Sequence, residues 1–332
     1  MKAASAQPSV AVLGAGSIGR RHLKNLRALG VEGLVGFEPN TARREDAERE
    51  TATPIFAELE AVWEYAPQAV VVAAPTQYHL PLTRAAVEHG AHVFIEKPLA
   101  HTLDGLDDLG RMLVARGLIS MIGCNMRFHP GPMAVRRLLS EGAVGAVINA
   151  RVQASSWLPR WRPTQDYRQN YSASPAWGGA ILDCIHEIDL AFWYFGSGHL
   201  HAAATLPATP LGLQTDGLAE LLIAHDSGVL SSVTLNFMQQ DYRRGCQIAG
   251  TRGTIYWDFA ERRVWTHDES GQLDRSIPEP DRWDVNQMYV DEMAYFLEAV
   301  RLRQPAMNPI SEALATLTLA LEARDPKWSI AK

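Results

Sequence analysis

A glycine-punctuated turn, Gly14-Ala15-Gly16-Ser17-Ile18-Gly19, constrains the fold of this chain more than any other feature. It sits between an apolar tetrapeptide, Val10–Leu13, and a stretch with helical spacing that opens at Ile18 and stops at Gly30. A short all-apolar run bounded by glycine reads as a buried strand, and a strand that feeds a helix through a tight turn is half of a βαβ unit. The rhythm persists. Apolar runs at 33–37, 69–74, 91–95 and 119–123 alternate with helical patterns at 41–50, 80–88 and 103–116. Near-continuous apolar strands separated by helices call for a parallel sheet covered on both faces.

Beyond Gly145 the pattern changes. Residues 218–225, 229–237, 244–249, 254–258 and 263–266 read as successive strands, with His225-Asp226-Ser227-Gly228 and Gly250-Thr251-Arg252-Gly253 as turns between them. One strong helix, over 180–195, precedes these strands, and another, over 288–303, follows them. The expected fold class is therefore α/β for residues 1–124, a doubly wound parallel sheet, followed by an α+β domain over 125–332 with a large, mostly antiparallel sheet. A length of 332 residues with 47% apolar content supplies a core for each.

Composition narrows the partners. The formal charge of −6 comes without a basic stripe, which excludes nucleic acid as the expected partner. Cys124, Cys184 and Cys246 lie far apart with no C-x-x-C spacing, so neither a metal site nor a disulfide framework is expected, and reduced thiols imply a cytoplasmic protein. The first nine residues hold no apolar stretch suited to a signal segment, and the longest apolar runs are too short to span a bilayer.

The glycine turn has a chemical reading in this context. Gly14, Gly16 and Gly19 permit the tight turn, the approach of a pyrophosphate and close helix–strand packing, while the amides around Ser17 and Ile18 face the phosphates from the helix N-terminus. Glu38, at the end of the second strand, is placed to accept hydrogen bonds from ribose hydroxyls. A carboxylate there repels a 2′-phosphate, which favours NAD over NADP, although Arg43 and Arg44 lie just beyond it. Glu96-Lys97-Pro98 puts a lysine at the carboxyl end of a parallel strand, where such sheets bind ligands; partial burial there would let it share or relay a proton near neutrality. Asp183 and His186 are three apart on the expected helix 180–195, so they would be neighbours on one face, either with the acid orienting the imidazole as a base or as a satisfied polar pair buried where the helix meets the sheet. The segment 156–177 carries Trp157, Arg160, Trp161, Arg162, Tyr167, Arg168, Tyr171 and Trp177. Aromatic faces stack on sugar rings and guanidinium forks grip anions, but such a loop also suits a contact between subunits.

At these residues the chain resembles the Gfo/Idh/MocA family of nicotinamide-dependent sugar and polyol oxidoreductases, over nearly its whole length. The resemblance rests on the glycine turn extended by Arg20-Arg21-His22, on Pro75-Thr76-Gln77-Tyr78-His79 and on Glu96-Lys97-Pro98. It continues through Arg127-Phe128-His129-Pro130 and the run from Gly178 to Asp189. It implies a Rossmann domain followed by an open-faced sheet through which members pair into homodimers or homotetramers. It also implies Lys97 and His186 as catalytic groups and Asp183 as a substrate-binding acid, with Pro75, Thr76, His79 and Glu96 lining the cofactor. Arg127 joins Trp157, Arg168 and Tyr171 as expected substrate contacts. The proline after Lys97 is commonly cis in such proteins. Many members separate the aspartate and histidine by four positions rather than three; the stretch from Asp166-Tyr167-Arg168 through Asp189, with Asn286-Gln287-Met288-Tyr289, resembles a branch associated with surface-polysaccharide and nonulosonate pathways, whose members tolerate the shorter spacing.

The expected function is hydride transfer between a secondary alcohol of a sugar derivative and NAD, the loop arginines pointing to an anionic or nucleotide-linked sugar. Two other readings compete with it. One is a redox-neutral epimerase, dehydratase or glycosidase that oxidises its substrate only transiently. The other is a non-catalytic NAD-binding regulator.

Overall fold

The computed structural model describes residues 7–330; the first six, part of the segment read above for a signal sequence, and the last two lie outside the described residues. The chain forms two compact units. One ends at Asn125 and takes up Val285–Leu314; the other holds Met126–Asp284 and the chain from Ala315 onward. The sequence reading placed everything after residue 124 in the second domain, and so differs for 285–314.

The first unit is built from β1 (Val10–Leu13), α1 (Ser17–Ala28), β2 (Leu34–Phe37), α2 (Thr41–Thr51), β3 (Ile55–Phe56), α3 (Leu59–Glu64), β4 (Ala69–Val72), α4 (His79–Glu88), β5 (His92–Glu96), α5 (Leu106–Arg116) and β6 (Ser120–Gly123). The strands form one parallel sheet in the order β3-β2-β1-β4-β5-β6. β1 and β4 are buried at every residue because both faces of the sheet are covered by helices. The order reverses between β1 and β4, which opens a crevice at the strands' carboxyl ends. The short β3 and α3 gave no signal in the sequence: a two-residue strand has no period to read.

The helix Asn286–Leu302 belongs to this unit because its apolar stripe finds a partner there. Phe296 meets Phe94 of β5 edge-on at 5.7 Å, and Asn286 Nδ2 donates to Asn25 Oδ1 of α1 at 2.9 Å. Farther on, the Ile122 amide donates to the Asn308 carbonyl at 2.9 Å, while Asn308 Nδ2 donates to the Ile122 carbonyl at 3.0 Å. These two bonds satisfy the open edge of β6, which would otherwise expose unpaired backbone groups.

The second unit comprises α6 (Pro130–Ser140), β7 (Val147–Trp157), α7 (Ala180–Asp183), α8 (His186–Phe195), β8 (Gly198–Pro207), β9 (Asp216–His225), β10 (Leu230–Asn236), β11 (Met238–Gly250), β12 (Gly253–Asp258), β13 (Arg263–Asp268) and β14 (Leu273–Pro278). Its eight strands run in the order β14-β13-β12-β11-β7-β10-β9-β8. All neighbours are antiparallel except β10 and β7. Strict alternation in β9 and β10 sends Ala219, Leu221, Ile223, Val233 and Leu235 to one face, on which α8 packs. β7, β8 and β14 escaped the sequence reading. β14 is an exposed outer strand with a single partner and shows no strong period-two signal, whereas β7 alternates only over the short stretch Ala150–Ala154 before a run of small residues.

His129 fixes the start of α6. Its Nδ1 accepts the Gly131 amide at 3.1 Å, and its ring lies among Trp257, Phe259 and Trp283. Burial, reinforced by the nearby Arg244 and Arg262 charges, pushes its pKa down to about 3, so the ring serves as a neutral cap. Among the described residues no helix is long and apolar enough to cross a membrane.

Candidate functional site

In the first unit the groups expected to hold a dinucleotide gather at the carboxyl end of the parallel sheet. Gly14 has φ +100°, and a Cβ there would lie 2.8 Å from the Ala73 carbonyl oxygen at the end of β4. A Cβ on Gly19 would collide with the Gly14 carbonyl, whereas one on Gly16 would meet nothing. The turn is thus packed tight on its protein side and open at Gly16, the shape a pyrophosphate needs. Gly16 is the N-cap of α1 and brings no side chain to the amides of the first helical turn, which begins at Ser17 and Ile18. These residues fit a dinucleotide.

Glu38 is buried at the end of β2. Its Oε2 accepts the Ala15 amide at 3.2 Å and its Oε1 the Asn40 amide at 3.1 Å, which fixes the carboxylate beside the glycine turn. Arg43 Nε stands 3.8 Å from Oε1 and is largely exposed. Replacing Glu38 with Ser is expected to lower the NAD-to-NADP ratio of kcat/KM roughly tenfold or more, as a charge-assisted ribose contact is lost together with the charge opposing a phosphate. An unchanged ratio would show that the carboxylate does not set cofactor choice.

Pro75 opens a short 3₁₀ turn, Thr76–Tyr78, that leads into α4. Thr76 is buried, and His79 spans two loops: its Nε2 lies 2.8 Å from the Ala74 carbonyl oxygen and its Nδ1 2.8 Å from that of Pro98. Burial lowers the His79 pKa, against the pull of those two carbonyls. Lys97 follows β5 directly, and its peptide bond to Pro98 is cis. Glu96 turns back, so that Oε2 accepts the Lys97 amide at 3.2 Å and Oε1 lies 2.6 Å from His22 Nε2. Glu96 and His79 therefore hold the lysine's turn in addition to any contact with the cofactor.

In the second unit the structure corrects one expectation. The helix expected over 180–195 is broken: α7 ends at Asp183, Cys184 departs from helical geometry (φ −95°, ψ 31°), and α8 starts at His186. Asp183 and His186 therefore do not share the face of one continuous helix. Asp183 is held instead by the preceding loop, where its carboxylate accepts the hydroxyls of Tyr171 and Ser172, the latter at 2.6 Å. That loop is anchored in turn. The Gly179 amide donates to the Ser172 carbonyl at 3.0 Å. Asp216 Oδ2 accepts the Ile181 amide at 2.8 Å, and Arg324 pairs with Asp216 at 3.2 Å while donating to the Pro175 carbonyl at 2.7 Å. Gly179, at φ +94°, lies so close to Asp216 that a side chain there would displace it.

Other expected substrate contacts have partners within this unit. Arg127 forks onto Asp189, with Nε to Oδ2 at 2.8 Å and an Nη to Oδ1 at 2.7 Å, and lies over the Trp193 ring. Arg168 grips Asp166 on the surface, and Arg160 donates to the Gln240 carbonyl at 2.6 Å. Trp157 ends β7 opposite Met238, and Trp161 Nε1 donates to Ser156 Oγ at 2.7 Å. The segment 156–177 carries three short 3₁₀ turns rather than being wholly irregular.

Ser172, Asp216, Arg324 and Arg244 carried no sequence signal, and His22 and Glu187 entered only as members of the motifs quoted above. Arg244 Nε donates to Glu187 Oε1 at 2.7 Å. Burial is the largest single influence and works against the Arg244 charge, but the charge and hydrogen bond of Glu187 together with Tyr242 and Cys184 hold the guanidinium pKa above its ordinary value. Each of these residues is distant in sequence from its partner, so only a motif already known to pair them could have revealed them.

Comparison with known proteins agrees with this geometry. Sequence models of two domains match, one described as the oxidoreductase family NAD-binding Rossmann fold over residues 9–124, the other as the GFO/IDH/MocA C-terminal domain over residues 133–256. An inositol 2-dehydrogenase of Rubrobacter xylanophilus is 26% identical over 268 residues, covering 77% of this chain and 72% of that protein. A scyllo-inositol 2-dehydrogenase (NAD(+)) of Bacillus subtilis is 26% identical over 317 residues, covering 89% and 86%. An oxidoreductase from Agrobacterium radiobacter, solved with NAD+, L-tartaric acid and magnesium, superposes with a TM-score of 0.82 at 18% identity over 97% of each chain. With a glycine cradle and Glu38 in a parallel sheet and both domain models matched in order, the chain belongs to the Gfo/Idh/MocA family of NAD-binding oxidoreductases.

Proposed function

We propose that the protein is an NAD-dependent dehydrogenase of a neutral polyol or sugar, oxidising one secondary alcohol. The observation that carries this reading is the placement, at the carboxyl end of one parallel sheet, of the open glycine turn after β1 and a lysine after β5. NAD, when bound, supplies the hydride acceptor. His186 takes the hydroxyl proton, and Lys97 donates a hydrogen bond to the same oxygen as negative charge develops there. Asp183, fixed by Tyr171 and Ser172, binds a neighbouring substrate hydroxyl, and Trp157 supplies an apolar face for the ring.

A neutral substrate is favoured over the anionic class that the loop arginines suggested. Arg127, forked onto the buried Asp189 carboxylate, is a poor receptor for a second anion, and two of the three loop arginines, Arg160 and Arg168, already bond groups within the unit. The inositol dehydrogenases among the relatives support the same class. The test is NADH absorbance with NAD or NADP against inositols, free sugars, sugar phosphates and nucleotide sugars. The expected result is turnover of neutral polyols or sugars with NAD. Turnover confined to nucleotide or phosphorylated sugars would reverse the substrate class, and product formation without net NADH would reverse the reaction type.

We further propose a cytoplasmic homodimer or homotetramer assembled through the eight-stranded sheet. Three buried cysteines, spread far apart in the sequence, fit a reducing compartment. On β12 and β13, Tyr256 stacks on Trp265 at 5.2 Å with Arg263 over the Trp265 ring, a partly exposed aromatic strip suited to a subunit contact. Light scattering is expected to give twice or four times the mass of 36.6 kDa; a monomer at micromolar concentration would rule this out.

A further inference from the structure

We propose that His22 is a positioning residue for Lys97, acting through Glu96, and that this pair ties the dinucleotide-binding helix to the lysine. The inference rests on the reading of Lys97 as a catalytic group. His22 lies in the middle of α1, the helix whose first turn faces the phosphates, and its side chain is fully buried. Its Nε2 is 2.6 Å from Glu96 Oε1. An ionised carboxylate only accepts, so His22 donates to Glu96 through Nε2, while Nδ1 is buried without a hydrogen-bond partner among the described residues. The other Glu96 oxygen accepts the Lys97 amide at 3.2 Å. One carboxylate thus receives a donor from the cofactor helix and a donor from the lysine's own peptide.

The surroundings keep this bridge in place. Phe94 packs edge-on against the His22 ring at 5.4 Å, and Tyr289 closes the other side at 6.4 Å. Arg21, the residue before His22, lies over Tyr289 at 4.3 Å, so the helix Asn286–Leu302 seals the pocket. A short, charge-assisted bond in such a site is strong and directional. Without the His22 donor, Glu96 Oε1 loses its partner, and the carboxylate is free to swing toward the other groups that face it: the Lys97 ammonium, Arg21 and the Tyr289 hydroxyl. Lys97 would then lose its fixed peptide orientation and gain an attractive negative charge.

The test compares His22→Leu, which keeps the bulk and removes the donor, with His22→Gln, whose side-chain amide restores a donor near the Nε2 position. Glu96→Gln is the third variant, as it leaves His22 intact. Three quantities are read: kcat against KM, the NAD dissociation constant by fluorescence titration, and the pH dependence of Lys97 labelling by acetic anhydride, followed by mass spectrometry in the purified enzyme. In His22→Leu and Glu96→Gln, kcat is expected to fall about 30- to 100-fold, the usual cost of a reacting group displaced by an ångström or so. In His22→Leu, KM and NAD binding should stay close to those of the parent. In His22→Leu the pH of half-labelling should rise by about half a unit or more, because the released carboxylate favours the ammonium. His22→Gln should recover most of both effects.

Unchanged kcat and labelling in His22→Leu would overturn the proposal, and so would Leu and Gln variants that are equally impaired. If His22→Leu does not fold, Glu96→Gln with parent kcat would overturn it. Labelling does not depend on turnover. A labelling shift in an enzyme whose Lys97→Ala variant stays fully active would uphold the positioning and refute the catalytic reading, so the two failures are distinguishable.

Discussion

Replacing Lys97 with Ala is expected to lower turnover by about two to four orders of magnitude, the range over which positioned proton-handling groups act, while NAD still binds. His186→Ala should do the same. Neither side chain belongs to the cradle formed by Gly14, Gly16, Gly19 and Glu38, so fluorescence titration with NAD should give dissociation constants near the parent's. The loss should fall on kcat, since the interactions removed strengthen only as charge develops on the carbinol oxygen. Lys97→Arg should remain slow despite keeping its charge, because a longer, planar guanidinium cannot place its donor at the point the compact ammonium occupies. Parent-like turnover in either alanine variant would remove that residue from the chemistry. Collapse of NAD binding would assign it to the cofactor site instead.

The largest stability effect is expected at Asp189. Arg127 and Asp189 are 3% and 1% exposed, and the two parallel hydrogen bonds between them leave little of either charge for solvent. Asp189→Ala would strand a guanidinium in the core, which typically costs about 3–5 kcal/mol. That is a large share of the roughly 5–15 kcal/mol by which a folded domain is stable. The expected result is a fall of about 10 °C in the melting temperature, given shifts of roughly 2–4 °C per kcal/mol in domains of this size. Removing both charges, as in Arg127→Met with Asp189→Leu, should recover much of the loss, because packed apolar groups replace a buried ion pair at little net cost. A shift of only a degree or two in Asp189→Ala would mean that water reaches Arg127 once its partner is gone.

These two predictions draw on signals of different kinds. Lys97 was legible because an apolar strand, a lysine and a proline in that order place the side chain at a known end of a parallel sheet. The glycine turn and Glu38 were legible for the same reason, since their meaning comes from neighbours within a few residues and from strand–turn–helix context. The partner of Asp189 was not legible in the sequence. Arg127 looked like a substrate contact because its motif resembles one, and the carboxylate it grips is 62 positions away.

The break between Asp183 and His186 shows where periodicity fails. Nothing in Ile181-Leu182-Asp183-Cys184-Ile185-His186 disfavours a helix, and i,i+3 spacing on a continuous helix was the simplest inference. The chain departs from it because Asp183 bonds to Tyr171 and Ser172, and the Ile181 amide to Asp216, itself paired with Arg324; these contacts span 11 to 108 positions. Tertiary hydrogen bonds of that number outweigh a local propensity worth a fraction of a kilocalorie per residue.

The sequence by itself determined the parallel sheet, the phosphate turn, the cofactor preference and the position of the lysine, because each depends on near neighbours and on the fixed periods of strand and helix. Only the tertiary structure decided that Val285–Leu314 completes the first unit and that one helix is two. It alone showed that Arg127, Arg160 and Arg168 already have partners, and that His22 and Glu96 hold the turn carrying Lys97. Those outcomes depend on which distant side chains a buried donor or acceptor reaches. A buried polar group must find some partner, but a local pattern cannot name it.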